Sequence, residues 1–257
     1  MRILPWIIII VSALLALSFP IDVQPQVSSR NQGNTIGIES SKGPTEITAI
    51  GHGSLVINFG NKVIHVDPYS SVADYAALPK ADQIWITHNH RDHLDSVAIK
   101  AIANSATQFI ADPESAGKLK DLGYERIVAL ENGIEAEIDE IHVKAIAAYN
   151  LVREREPGVK FHPQGWGNGY VATFGEKRMY IAGDTECIPE MASLGGIDVA
   201  FIPINLPYTM PPEEAVGCIK VIFPHVVIPY HQGNSDPNIV AELLRGSGIE
   251  VRVLSLP

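Results

Sequence analysis

One stretch constrains this chain more than any other: Trp85-Ile86-Thr87-His88-Asn89-His90-Arg91-Asp92-His93-Leu94-Asp95. Three of the nine histidines and two aspartates fall between His88 and Asp95, directly after an apolar run that reads as a buried strand. A chain still extended at His88 and His90 projects both imidazoles to one side, and Asp92 and His93 at the start of a following helix face the same cavity. Imidazole nitrogen with carboxylate oxygen suits zinc, with manganese or iron as alternatives; calcium prefers an all-oxygen shell. Asp92 and Asp95 also fit helix N-caps. The density of donors in so short a stretch favours a metal site over that reading.

The rest of the chain has to bring further donors to this loop. Strand-like runs at Glu46–Ile50, Leu55–Phe59 and Lys62–Val66 open an antiparallel unit, with Gly60-Asn61 marking a two-residue hairpin. Alternation follows: strand Gln83–Thr87, helix Asp95–Ala103, strand Gln108–Ala111, helix Glu114–Asp121. The second half repeats this order. Strands Ile141–Ala147, Tyr170–Phe174 and Arg178–Ala182 include a hairpin at Gly175-Glu176, and Asp198–Ile204, helix Pro212–Ile222, strand His225–Tyr230, helix Pro237–Arg245 and strand Ile249–Leu254 complete it. Two halves that each pass from hairpin to β/α alternation suggest an α/β protein built as a four-layer αββα sandwich.

At the amino terminus, Met1-Arg2 precedes an apolar run from Ile3 to Phe19, and a polar stretch from Gln24 to Lys42 isolates it from anything that could bury it. We expect an exported chain: residues 1–20 a signal peptide or membrane anchor, 21–44 a flexible linker, and 45–257 one folded domain of roughly 210 residues. It would be secreted or held outside the cytoplasm, with membrane association through residues 1–20. A formal charge of −10 argues against a nucleic acid partner, which requires a basic surface. Cys187 and Cys218 are the only cysteines and read as two independent thiols, with a single disulfide as the other reading.

The His-x-His-x-Asp-His motif at His88–His93 resembles the signature of the metallo-β-lactamase superfamily. Four landmarks extend the resemblance along the domain: Gly51-His52-Gly53-Ser54, His65-Val66-Asp67-Pro68-Tyr69, Ala182-Gly183-Asp184-Thr185 and Pro229-Tyr230-His231. The first two are similar to the branch that includes ascorbate-6-phosphate lactonase and N-acylphosphatidylethanolamine phospholipase D. The resemblance implies that His88 and His90 bind one metal ion, that Asp92, His93 and His231 bind a second, and that Asp184 bridges them. It gives Asp67 the task of orienting the histidine loop by hydrogen bonds, and it offers His52 and Tyr208 as substrate-binding or proton-donating groups. One departure stands out. Where the family supplies a third histidine for the first ion, this chain reads Ala147-Ala148-Tyr149-Asn150; Asn150 is a poor zinc ligand, and His162 is the nearest candidate to replace it or to touch substrate.

One or two zinc ions would lower the pKa of water from about 16 toward 7, providing hydroxide at neutral pH. Asp92 and Asp184 would position that nucleophile and accept its proton. The expected activity is hydrolysis of an ester, lactone or phosphodiester in a small-molecule substrate. A non-catalytic exported metal-binding module is the alternative suggested by Asn150, and a di-iron redox protein is a further one. The redox proteins of this fold carry glutamate where His90 stands. Nothing in the sequence bears on oligomeric state.

Overall fold

The computed structural model describes residues 33–256. The expected signal or anchor at 1–20 lies outside the described residues, as does the first half of the expected linker. That linker was drawn too long: strand β1 (Thr35–Ser40) pairs antiparallel with β2 (Gly43–Gly51), so the folded domain begins before residue 45. The polar composition hid β1, yet Ile36 and Ile38 alternate inward and are both buried.

From β2 the sheet continues through β3 (Ser54–Phe59) and β4 (Lys62–Val66) as an antiparallel meander. The pairing then turns parallel through β5 (Gln83–Ile86), β6 (Gln108–Ala111) and β7 (Ile127–Ala129). Helix α1 (Ser96–Ile102) links β5 to β6 and α2 (Pro113–Asp121) links β6 to β7. Both helices start on an aspartate: the Asp95 carboxylate accepts from the Val97 amide, and the Asp112 carboxylate accepts from the Glu114 and Ser115 amides.

The second sheet has the same plan. Strands β8 (Glu135–Ile138), β9 (Ile141–Ala148), β12 (Gly167–Phe174) and β13 (Lys177–Ile181) are antiparallel neighbours. Strands β14 (Val199–Pro203), β15 (Val226–Tyr230) and β16 (Glu250–Val251) extend it in parallel, with α3 (Pro212–Ile222) and α4 (Asn238–Leu243) as crossovers. Between β9 and β12 a short ribbon, β10 (Glu154–Glu156) and β11 (Val159–Lys160), stands apart from both sheets. The expected last helix and strand are thus shorter than the hydrophobic pattern indicated.

Three apolar clusters define the layers. One, containing Ile47, Ile57, Trp85, Val143, Phe174 and Phe201, fills the space between the sheets. A second packs α1 and α2 beneath the first sheet, and a third packs α3 and α4 beneath the other. The architecture is the αββα sandwich. The two cysteines, expected as thiols, are paired: Cys187, just past the end of β13, and Cys218 on α3 form a disulfide with Cα atoms 5.3 Å apart. Their sequence separation of 31 gave no hint of this contact, which arises because α3 packs under the segment that follows β13.

Candidate metal centre

In both sheets the strands that run parallel end on the same edge of the sandwich, and the polar residues just beyond those ends converge there. Asp67 follows β4, Thr87 and His88 follow β5, Asn150 follows β9, Asp184 follows β13, Asn205 follows β14 and His231 follows β15. His52 sits in the turn from β2 to β3. This is the site expected in α/β sheets, outside the carboxyl ends of the strands.

The histidine loop is not extended, contrary to the i, i+2 argument. Strand β5 ends at Ile86, and residues 91–93 form a turn closed by bonds from the His93 and Leu94 amides to the His90 carbonyl. What aims the loop is Asp67. Its buried carboxylate accepts from the Thr87 amide (2.8 Å), the Thr87 hydroxyl (2.6 Å) and His93 Nδ1 (2.8 Å). His93 therefore carries a proton on Nδ1 and turns Nε2 toward the cluster. Burial pushes the Asp67 carboxyl up, with His93 and Thr87 working against it.

Three overlapping donor groups result, each with ligand atoms within 4.8 Å of one another: His88, His90 and His162; His52, Asp92, His93 and His231; and His88, His93 and Asp184. Asp184 joins the first two. Its Oδ2 lies 3.3 Å from His162 Nε2, while Oδ1 lies 3.3 Å from His231 Nε2 and 3.6 Å from His93 Nε2. The neighbouring glycines permit this packing. Gly183 adopts φ 66°, and a Cβ on Gly53 would lie 3.1 Å from the His93 ring and 3.2 Å from that of His231.

The departure at Asn150 resolves in the structure. Asn150 Oδ1 accepts from the His162 backbone amide and lies 2.8 Å from His162 Nδ1. Asn150 thus orients His162, and His162 stands beside His88 and His90 with its Nε2 toward Asp184. Two residues missed by sequence reasoning support the same region. Glu186 is buried and accepts from Asn150 Nδ2 and from the amides of Leu151, Val152 and Arg153. Its carboxyl is held low: burial raises it, but these donors and Arg153 outweigh burial. Asn205 places its side-chain amide 3.1 Å from His231 Nδ1. Asn205 follows an apolar strand, as Asp184 and His231 do, and that signal was present in the sequence.

His52 lies at the rim, its Nε2 2.8 Å from Asp92 Oδ2 and its ring 3.8 Å from that of His231. Tyr208 is further out; its carbonyl accepts from Asn150 Nδ2, and its ring meets Phe161 edge-on. Trp166 packs against the rings of His88 and His90 on the opposite side. His65 in β4, His142 in β9 and His225 just before β15 belong to none of these donor groups.

The arrangement fits a bound cation. His162 Nε2 and Asp184 Oδ1 are buried without any hydrogen-bond donor or acceptor, and such orphans are rare in a folded chain. His88 Nε2 and His90 Nδ1 face each other at 3.0 Å, and His93 Nε2 and His231 Nε2 at 3.2 Å. Burial pulls His90 and His231 down to about 4, and His88 well below the normal histidine range, so these imidazoles are held neutral as ligands must be. His93 goes the other way: burial lowers it, but Asp184, Asp67 and Asp92 raise it to about 9. Burial raises Asp184 and Asp92 too, yet the surrounding histidines hold both carboxyls well below the usual range.

Residues 46–231 match the family model described as a beta-lactamase superfamily domain. The chain belongs to the metallo-β-lactamase superfamily. Within it, the chain is 31% identical to a UPF0173 metal-dependent hydrolase of Listeria welshimeri, over 82% of this chain and 97% of that protein. This places it among the UPF0173 metal-dependent hydrolases. A crystal structure of a putative metal-dependent hydrolase from Parabacteroides distasonis is similar at 39% identity and a TM-score of 0.80, covering 91% of this chain and 100% of that one. Igni18, a metallo hydrolase from Ignicoccus hospitalis, shares the fold at 24% identity and a TM-score of 0.69, over 82% of this chain and 95% of its own.

Proposed function

We propose that this superfamily member hydrolyses an ester, lactone or phosphodiester of a small molecule outside the cytoplasm, using two zinc ions held by His88, His90 and His162 and by Asp92, His93 and His231. The observation that carries this reading is Asp184, whose two carboxylate oxygens each face a different set of imidazoles. Zinc supplies Lewis acidity and brings the pKa of water to about 7.

The chain's own residues do the positioning. Asp184, between the two donor sets, and Asp92 beside it align the attacking water and accept its proton. Asp92 sets its Oδ2 2.8 Å from His52 Nε2 and 3.8 Å from His93 Nε2. Asp67, Asn150 and Asn205 fix the rings of His93, His162 and His231 from behind, so that no ligand reorganises as charge develops. His52, on the open side, is placed to meet the leaving group, and Ser54, bonded to the Asp67 carbonyl, is structural.

Metal analysis of the full-length protein, combined with chromogenic esters, lactones and phosphodiesters, tests this. We expect about two zinc ions per chain and a loss of at least about a hundredfold in turnover for Asp92→Ala. Equal turnover by that variant would remove the mechanism.

A further inference from the structure

A patch of apolar side chains stands exposed beside the centre. Leu151 and Val152 are 43% and 68% exposed in the loop after β9, and Leu206 and Tyr208 are 49% and 45% exposed in the loop after β14. The remaining exposed large apolar residues are spread over α1 to α4 and the edges, among them Val97, Val221 and Leu243.

The backbone beneath the patch is fixed by buried polar groups. Glu186 takes the amides of Leu151 and Val152, the Thr209 hydroxyl donates to the Asn205 carbonyl, and Asn150 Nδ2 ties the two loops together at the Tyr208 carbonyl. Leu151 adjoins Asn150, which orients His162, and Leu206 adjoins Asn205, which contacts His231. Phe161 adjoins His162 itself and packs on Tyr208. Exposed apolar side chains are thus displayed on the loop that carries His162 and on the loop whose Asn205 contacts His231.

We propose that this rim receives an apolar arm of the substrate, so that the enzyme prefers medium-length acyl or alkyl chains attached to the bond it cleaves. The occupant is part of the substrate because both exposed loops reach the centre: Leu151 follows Asn150, which orients His162, and Leu206 follows Asn205, which contacts His231. This inference rests on the hydrolase reading above and names the substrate class of the same site. Full burial of a methylene is worth about fourfold. A rim open on one side gives about half of that free energy, or about twofold per methylene.

The test uses full-length, zinc-loaded protein and p-nitrophenyl esters from acetyl to octanoyl. We expect kcat/KM to rise by roughly fiftyfold across the series, and the combined variant Leu151→Ser, Val152→Ser and Leu206→Ser to reduce that rise to a few-fold. The control pair Val221→Ser and Leu243→Ser retains the full rise. A flat series in the parent, or a full rise in the triple variant, overturns the inference while leaving the hydrolase reading intact. If no ester is turned over, the hydrolase reading fails for esters and the rim is read by calorimetry with n-alkylphosphonates of the same lengths. Affinity independent of chain length then overturns the inference. A flat series together with phosphatidylcholine vesicle binding that the triple variant loses overturns it in favour of a membrane surface.

Discussion

The two halves of the molecule build their shares of the centre differently. The first half delivers His88, His90, Asp92 and His93 from one short loop, and a single buried group, Asp67, secures it through Thr87 and His93. The second half delivers His162, Asp184 and His231 from three separate segments, two of them with an amide of their own behind the ring. A contiguous loop is economical to position, and one support serves ligands of both donor sets. Dispersed ligands each need their own support, and each support touches one donor set alone.

Asp184→Ala breaks the comparison altogether, because this carboxylate is what both halves share. We expect loss of both ions and a fall in turnover of about a thousandfold or more, read by metal analysis and steady-state kinetics. Asp67→Ala comes next: its loss frees the whole loop, and metal affinity should fall about 10- to 100-fold at both positions together. Asn150→Ala should weaken only the position that uses His162, and Asn205→Ala only the one that uses His231, each by about tenfold in a competition titration with a chelator. Equal loss at both positions in either amide variant would contradict the division described here.

Acid also separates the halves. His65, fully buried in β4, is drawn down to about 4 by burial, partly opposed by its bond to the Pro79 carbonyl. Its unfolded value is higher, so the unfolded chain takes up the proton first. The neutral side chain's stabilisation is complete above about pH 6.5 and is lost as pH falls from there to about 4, on the order of 3 kcal/mol. The second half's counterparts, His142 and His225, are exposed. Chemical denaturation of His65→Gln should show a shallower acid slope than the parent.

The same contrast explains what could be read from the sequence. The loop His88–His93 announced itself because its donors are adjacent, and both hairpins were marked by Gly60-Asn61 and Gly175-Glu176. Asp184 and His231 came from resemblance, and their placement after apolar strands agreed with it. That His162 comes to stand beside His88 and His90 was undecidable along the chain, since it depends on Asn150 folding back across 12 residues to meet it. Glu186 was invisible for a similar reason: its partners are backbone amides more than 30 residues away. Strand β1 was missed because two inward isoleucines in a polar stretch carry little periodic signal.

His52, Asp67 and His231 share one further property. Each is a non-glycine residue with positive φ, at 53°, 44° and 43°, and each follows closely on the end of a strand. Such a backbone costs on the order of 1–3 kcal/mol per residue. Glycine at any of these positions would relax the chain and erase the chemistry, so a screen for thermal robustness alone would reward the dismantling of this centre. Heat tolerance and turnover should therefore be selected together when variants of this enzyme are made.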